Sequence, residues 1–313
     1  MTRKIGIMSR PLLGLMRRAG GAYDLVSRDD YDSDAAMAAA HPDLAALLVM
    51  GGRELPHATV EAMPRLGLIC CFGVGYDGID IAHARSRGVT VTNCPNVNNE
   101  DVADHALGLF IALVRDIVRG HERVVGGGWE RGDRGALGPS LRQLKAGIVG
   151  MGAIGRSIAQ RLPGFGVTVA WWGPNPKPDI AFPRAASILH LARDRDVIFM
   201  AGRADETSRG IISAEVIDAI GPKGYLINVS RGFTVDEDAL IAALKNGRLA
   251  GAALDVFLEE PAPAARWADV PNVVLTPHVA GGGRGAIEAQ TQLVLENLAL
   301  YFAGQPVKTP VAA

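Results

Sequence analysis

The amino-acid sequence predicts an α/β protein made of two Rossmann-like domains, each built on a parallel sheet. Three observations carry that prediction. Short apolar strands alternate with helix-like stretches along most of the 313 residues, the pattern of parallel sheets covered on both faces. Over residues 145–172 a strand, a glycine turn, a helix and a second strand follow one another. The length leaves room for two ordinary domains with sizeable cores.

Residues 1–100 read as a first α/β unit. Its candidate strands are Lys4–Met8, Ala46–Met50, Leu68–Phe72 and Val89–Asn93, with helix-like stretches around Pro11–Gly20, Asp34–Ala40 and Ile81–Gly88. The third strand runs into Phe72-Gly-Val-Gly-Tyr-Asp-Gly-Ile-Asp80. The glycines of that turn leave backbone N–H groups unshielded and able to receive an anion such as a carboxylate. The simpler reading is a strand-to-helix turn in which Asp80 caps the helix beginning at Ile81.

Pro95 and the asparagines that follow make an irregular link. A helix is expected from about Glu100 to Arg119, opened by acidic residues in its first turn. It is apolar over much of its circumference (Val102, Ala106, Leu109, Phe110, Leu113, Val114, Ile117), so it should be buried on more than one side. It reads as the crossover into the second domain and as a subunit contact, with His105 a packed or interface histidine. Residues 120–143, glycine-rich and polar, read as a long connection.

The central stretch begins with a strand at Ala146–Val149 and continues through Gly150-Met151-Gly152-Ala153-Ile154-Gly155. An amphipathic segment (Ile154, Ile158, Leu162) and a second strand, Val167–Trp172, follow. Gly150 permits the tight turn, Gly152 lets the backbone approach a pyrophosphate, and Gly155 lets the helix pack on the strand. The helix N-terminus adds free N–H groups and a partial positive charge. With these flanks the glycines read as a dinucleotide site rather than a structural turn.

Strands at Val197–Ala201, Tyr225–Val229, Gly251–Val256 and Val273–Thr276, with helices near Ala186–Ala192, Ala214–Ile220 and Asp236–Asn246, complete a doubly wound sheet. A last amphipathic helix over 284–302 should return to the first domain. The expected division is therefore 1–98 plus 284–313 for a substrate-binding domain and 99–283 for a dinucleotide-binding domain.

Ligands gather at the carboxyl ends of parallel strands, and three segments place polar residues there. In Ile227-Asn-Val-Ser-Arg-Gly-Phe233 the Arg231 fork can grip a carboxylate and a neighbouring carbonyl, unless it only closes a surface turn. Asp255 ends a strand in Ala253-Leu-Asp-Val-Phe-Leu-Glu-Glu-Pro261, where Glu259 and Glu260 also suit a solvated loop. His278, after a proline in a glycine-rich turn, is the best placed of the seven histidines to act as an acid near neutral pH.

Composition narrows the function classes. The net charge of −1, with nearly half the residues apolar, gives no reason to expect disorder or a nucleic-acid partner. No apolar run approaches the ~18–20 residues of a membrane span, and no export signal opens the chain, so a cytoplasmic location is expected. Cys70, Cys71 and Cys94 lack metal-ligand spacing and read as small buried hydrophobes; no metal is expected.

Taken in order, Gly73-Val-Gly-Tyr-Asp-Gly-Ile-Asp80, Thr92-Asn-Cys-Pro-Asn-Val, Glu100-Asp-Val-Ala-Asp-His, Gly150-Met-Gly-Ala-Ile-Gly155, Asn228-Val-Ser-Arg-Gly232, Leu254-Asp-Val-Phe-Leu-Glu-Glu-Pro261 and Thr276-Pro-His278 resemble the D-isomer-specific 2-hydroxyacid dehydrogenases over nearly the whole chain. Their glyoxylate/hydroxypyruvate reductase branch is the most similar. The resemblance implies an active site in the cleft between the domains, a homodimer built around the crossover helix, and hydride transfer to a small 2-oxoacid. It makes His278 the general acid, Glu260 its hydrogen-bond partner and Arg231 the residue that orients substrate. The backbone of Val74 and Gly75 would receive the substrate carboxylate, and Asp255 the nicotinamide carboxamide. The cofactor-contacting set it implies is Gly150, Met151, Gly152, Ala153, Ile154, Gly155, Gly173, Pro174, Lys177, Val229 and Asp255.

Cofactor choice turns on the end of the second strand of this motif. NAD users of the fold place an acidic residue there for the ribose hydroxyls, and this chain has Gly173 followed by Pro174. A carboxylate ~4 Å from a 2′-phosphate charge would cost roughly 1–4 kcal/mol, depending on screening, so its absence points to NADP, with NAD as the second choice. Lys177 or Arg203 is the expected source of positive charge. Two other functions fit the same scaffold: a non-catalytic dinucleotide-sensing protein, and a formate- or phosphite-type dehydrogenase.

Overall fold

The computed structural model describes residues 3–20, 23–132, 135 and 137–312. Two compact units are formed, one from Met1–Asn98 with Gly282–Ala313 and the other from Asn99–Gly281.

The first unit holds strands β1 (Lys4–Ile7), β2 (Asp24–Ser27), β3 (Ala46–Met50), β4 (Leu68–Phe72) and β5 (Thr90–Thr92). Its helices are α1 (Arg10–Ala19), α2 (Asp34–Ala40), α3 (His57–Glu61) and α4 (Ile81–Ser86). All strand pairs are parallel, in the order β2-β1-β3-β4-β5. Both faces are covered, which is why β3 and β4 read as continuous apolar runs instead of alternating ones. Cys70, Cys71 and Cys94 lie buried here, and burial lifts the Cys70 thiol to about 12.

The second unit begins with α5 (Asn99–Val114) and α6 (Ile117–Val125). Then come β6 (Lys145–Val149), α7 (Ala153–Arg161), β7 (Thr168–Trp172), α8 (Ile188–Asp194), β8 (Val197–Met200), α9 (Ala214–Ile220), β9 (Tyr225–Asn228), α10 (Glu237–Lys245), β10 (Gly251–Leu254), α11 (Ala264–Trp267) and β11 (Val273–Leu275). Its six strands are parallel in the order β11-β10-β9-β8-β6-β7. The last helix, α12 (Arg284–Phe302), belongs to the first unit, where Leu293, Val294 and Leu298 pack with Ile5, Leu68 and Cys70.

Four elements depart from the sequence expectation. Strand β2 and helices α3 and α11 have only four, five and four residues, too few for a periodic signal to develop. The single helix expected over 100–119 is two helices, broken at Asp116, which takes a left-handed backbone conformation at φ +54°. Helix α6 therefore occupies part of the stretch read as a connection; residues 133, 134 and 136 of that stretch lie outside the described residues.

The break also moves the exposed apolar surface. Val102, Ala106, Leu109, Phe110 and Val114 of α5 are buried in the core of their own unit. Ile117, Val118, Val124 and Val125 of α6 are exposed. Among the described residues no helix is long and apolar enough to cross a membrane.

Candidate active site

In the second unit the strand order reverses between β6 and β8, and the loops leaving those two strands diverge around a crevice suited to a ligand. Gly150 ends β6 at φ +94°, a conformation L side chains rarely adopt, and a Cβ there would lie 2.1 Å from the Cα of Gly202. A Cβ on Gly155 would lie 2.0 Å from the Gly150 carbonyl oxygen, so α7 can rest on β6 only with glycine at that point. Gly152, the N-cap of α7, has nothing within 4 Å of its Cβ position. The helix N-terminus is thus open where a pyrophosphate needs backbone N–H groups, and these residues fit a dinucleotide. Met151 and Val229 are buried beside this opening, and Ala153 is exposed at the helix start.

The polar residues expected to act together arrive on the loops after β9, β10 and β11, three adjacent strands. Arg231 follows β9. Its Nη1 donates to the Ser230 carbonyl at 2.9 Å, while its own carbonyl accepts from Asn228 Nδ2 (3.0 Å) and Thr234 Oγ1 (2.6 Å). The next residue, Gly232, sits so close to the loop after β10 that a Cβ would fall 1.8 Å from the Phe257 carbonyl carbon. That approach brings the Arg231 loop against the one bearing Glu260.

Glu260 Oε1 accepts from the Phe257 N–H at 3.0 Å, and Oε2 lies 2.6 Å from His278 Nδ1. Burial pushes the Glu260 carboxyl up. The hydrogen bonds from His278 and Phe257, and the charges of His278 and Arg231, outweigh it and hold the group below its ordinary value. An ionised carboxylate can only accept, so Nδ1 carries the proton and Nε2 is left to act outward. The influence of Arg231 on Glu260 ties all three residues into one electrostatic group. Glu259 is exposed and takes no part in it.

His278 is a non-glycine residue at φ +52°, and several contacts hold it there. Its N–H donates to the carbonyls of Asp255 (2.8 Å) and Thr276 (3.0 Å). The Asp255 side chain is 1 % exposed. Oδ1 accepts from Thr276 Oγ1 (2.6 Å) and the Val279 N–H (2.9 Å), and Oδ2 from the Ala280 N–H (2.9 Å). Three of the roughly four acceptor positions of this carboxylate therefore serve the turn that carries His278. His105 of α5 lies behind, with Nε2 2.9 Å from Thr276 Oγ1. Thr276, His105 and Gly232 were not legible as site residues, because their roles depend on neighbours distant in the chain. The glycine after Arg231 was the one available hint.

In the first unit Asp80 caps α4 as the simpler reading expects, its Oδ1 accepting from the His83 N–H at 2.8 Å. The turn before it remains available as well: among the described residues no hydrogen bond within the protein occupies the N–H of Val74 or Gly75. The Val74 carbonyl accepts from Asn93 Nδ2 at 2.7 Å, which steadies the turn. At the end of β7, Gly173 is buried and Pro174 exposed, with Lys177 half-buried just beyond. Arg203 follows β8 instead and lies 3.7 Å from Asp205.

Residues 107–280 match the family described as D-isomer specific 2-hydroxyacid dehydrogenase, NAD binding domain. The chain is 39 % identical over 252 residues to hydroxyphenylpyruvate reductase of Plectranthus scutellarioides, covering 80 % of each chain. It is also 39 % identical over 252 residues to a glyoxylate/hydroxypyruvate reductase of Arabidopsis thaliana, again with 80 % of each covered. Among solved structures, an NADPH-dependent glyoxylate/hydroxypyruvate reductase of Sinorhizobium meliloti in complex with NADP and malonate superimposes with a TM-score of 0.92. That pair shares 36 % identity over 100 % of this chain and 97 % of the other.

Proposed function

The chain belongs to the D-isomer-specific 2-hydroxyacid dehydrogenases and is therefore an oxidoreductase, and from that premise we propose that it reduces small 2-oxoacids such as glyoxylate and hydroxypyruvate to D-2-hydroxyacids, with NADPH preferred to NADH. The observation that carries the reading is the His278–Glu260 contact of 2.6 Å, with Arg231 in the same electrostatic group. A proton donor and a carboxylate-gripping fork beside one another suit a 2-oxoacid, which presents a carbonyl and a carboxylate on adjacent carbons. Formate oxidation creates no alkoxide to protonate, so the same pair would have little to do in a formate-type enzyme.

The Gly150–Gly155 turn and the N-terminus of α7 would hold the pyrophosphate, with Met151 and Val229 buried alongside. When bound, the nicotinamide supplies the hydride. His278 delivers a proton from Nε2 to the carbonyl oxygen as negative charge develops there. Glu260 stabilises the imidazolium and fixes the ring by accepting from Nδ1. Arg231 orients the substrate carboxylate and stabilises the same developing charge. The open N–H groups of Val74 and Gly75 receive the carboxylate. Asp255 holds the His278 turn and is the residue that would face the carboxamide.

The absence of an acidic residue at Gly173 supports the NADPH preference. The exposed apolar face of α6 supports a homodimer, since covering it stabilises by roughly 25 cal/mol per Å². A cytoplasmic location accords with the lack of a membrane-spanning helix among the described residues. Steady-state oxidation of NADPH and of NADH against glyoxylate, hydroxypyruvate, pyruvate and a phenyl-bearing 2-oxoacid tests the reading. Turnover of at least one acid with NADPH is expected. No turnover with any of them refutes the reductase assignment, and a kcat/KM tenfold better with NADH refutes the cofactor preference.

A further inference from the structure

Beyond the end of β7 the sheet has one more contact. Residues 183–185 run parallel to β7 as a one-residue bridge: the Trp171 N–H donates to the Pro183 carbonyl (2.9 Å), and the Ala185 N–H to the Trp171 carbonyl (2.7 Å). Arg184 sits at that bridge. Its guanidinium carbon lies 5.7 Å from the centroid of the buried Trp171 ring, and its Nη2 donates to the carbonyls of Gly173 (2.7 Å) and Pro174 (3.3 Å). These contacts park a cation at the strand end where the fold binds the adenosine ribose.

The other cations nearby are already engaged. Arg156 lies 2.6 Å from Asp179, and the charge of Lys177 also falls on Asp179. Arg203 follows β8, which lies beyond β6 from β7, two strand spacings or roughly 10 Å away. Arg184 has no carboxylate within ion-pair distance among the described residues, and its Nε and Nη1 donors have no protein partner there. At Gly173 a Cβ would come 3.3 Å from the Trp171 ring that supports Arg184, a contact tighter than ordinary packing, so a larger residue there would press on that support.

We propose that Arg184 is the specificity-determining residue for the cofactor, its positive charge and a free N–H donor binding the phosphomonoester on the 2′ position of the adenosine ribose. The assignment rests on the NADPH reading above and names the residue that would carry it, in place of Lys177 or Arg203. The test is binding of 2′,5′-ADP and of 5′-ADP, measured by calorimetry on the full chain.

The unaltered protein should bind 2′,5′-ADP at least tenfold more tightly than 5′-ADP. Arg184→Gln should abolish that preference while changing 5′-ADP affinity less than threefold, and Arg184→Lys should recover only part of it. Coincident thermal unfolding of the variants and the unaltered chain would show that the fold is kept. A preference intact in Arg184→Gln but lost in Lys177→Ala overturns the Arg184 assignment and leaves the NADPH reading standing. No preference in the unaltered protein overturns both.

Discussion

The two units share one winding scheme and differ in what they place at its reversal point. In each, the second strand lies outside the first and the third lies on the other side, so the loops after the first and third strands diverge. The second unit leaves that point bare: Gly150 turns at positive φ, and Gly152 presents backbone with no atom near its Cβ position. The first unit fills it. Met8 is buried there, Ser9 takes extended backbone at the N-cap of α1, and Pro11 occupies the first turn. Gly14 lies inside α1, where a Cβ would meet only the flexible end of Arg18, at 3.5 Å. Nucleotide capacity therefore follows from side chains withheld at defined positions, and the doubly wound topology alone does not confer it.

The largest effect should come from the chemistry assigned to the second unit. His278→Ala is expected to lose ~10²–10⁴ in kcat, about 3–5 kcal/mol of barrier, with cofactor binding intact by fluorescence titration. Near-normal turnover would take the acid role away from His278.

The paired substitutions Gly150→Ala and Gly14→Ala sharpen the contrast directly. The first meets both positive φ and the Gly202 backbone, so urea denaturation should show a loss of about 1–3 kcal/mol or more, together with lost dinucleotide binding. The second relieves a glycine in a helix interior and should stabilise by about 0.5–1 kcal/mol. Equal effects at the two sites would erase the distinction drawn between the units.

A smaller change is expected from Thr276→Val, which removes the hydroxyl between His105 and Asp255 at a cost of about 1 kcal/mol in stability. Because the turn carries the acid, kcat should fall more than KM rises, and Thr276→Ser should restore it. An unchanged kcat would limit the network to folding.

The smallest effect is acid-dependent. The Glu260 carboxyl is held below its ordinary value, so its ionised form contributes stability that is fully present above the ordinary glutamate range and lost as pH falls through the lowered value. The stability gap between the unaltered chain and Glu260→Gln, no more than about 1 kcal/mol for a half-exposed pair, should therefore shrink on acidification from that range downward. A gap that widens would mean the carboxyl is not favoured in its charged form.

Local order along the chain was enough to determine the class of fold, the glycine turn and Arg231 and His278 as candidates; Glu260 stood out only through the family resemblance. Strand periodicity and the three motif glycines act through residues a few positions apart, and such short-range geometry is legible without coordinates. The break at Asp116, the service of Asp255 to the His278 turn and the arrival of Arg184 beside Gly173 were decided only by tertiary structure. Each depends on which distant segment lies alongside: Thr276 and His105 are far apart in sequence, and Arg184 reaches β7 through a single bridge that carries no periodic signal. Packing partners and hydrogen-bond acceptors are chosen when the loops at the sheet's carboxyl edge come together, and that choice turns a list of polar residues into a site.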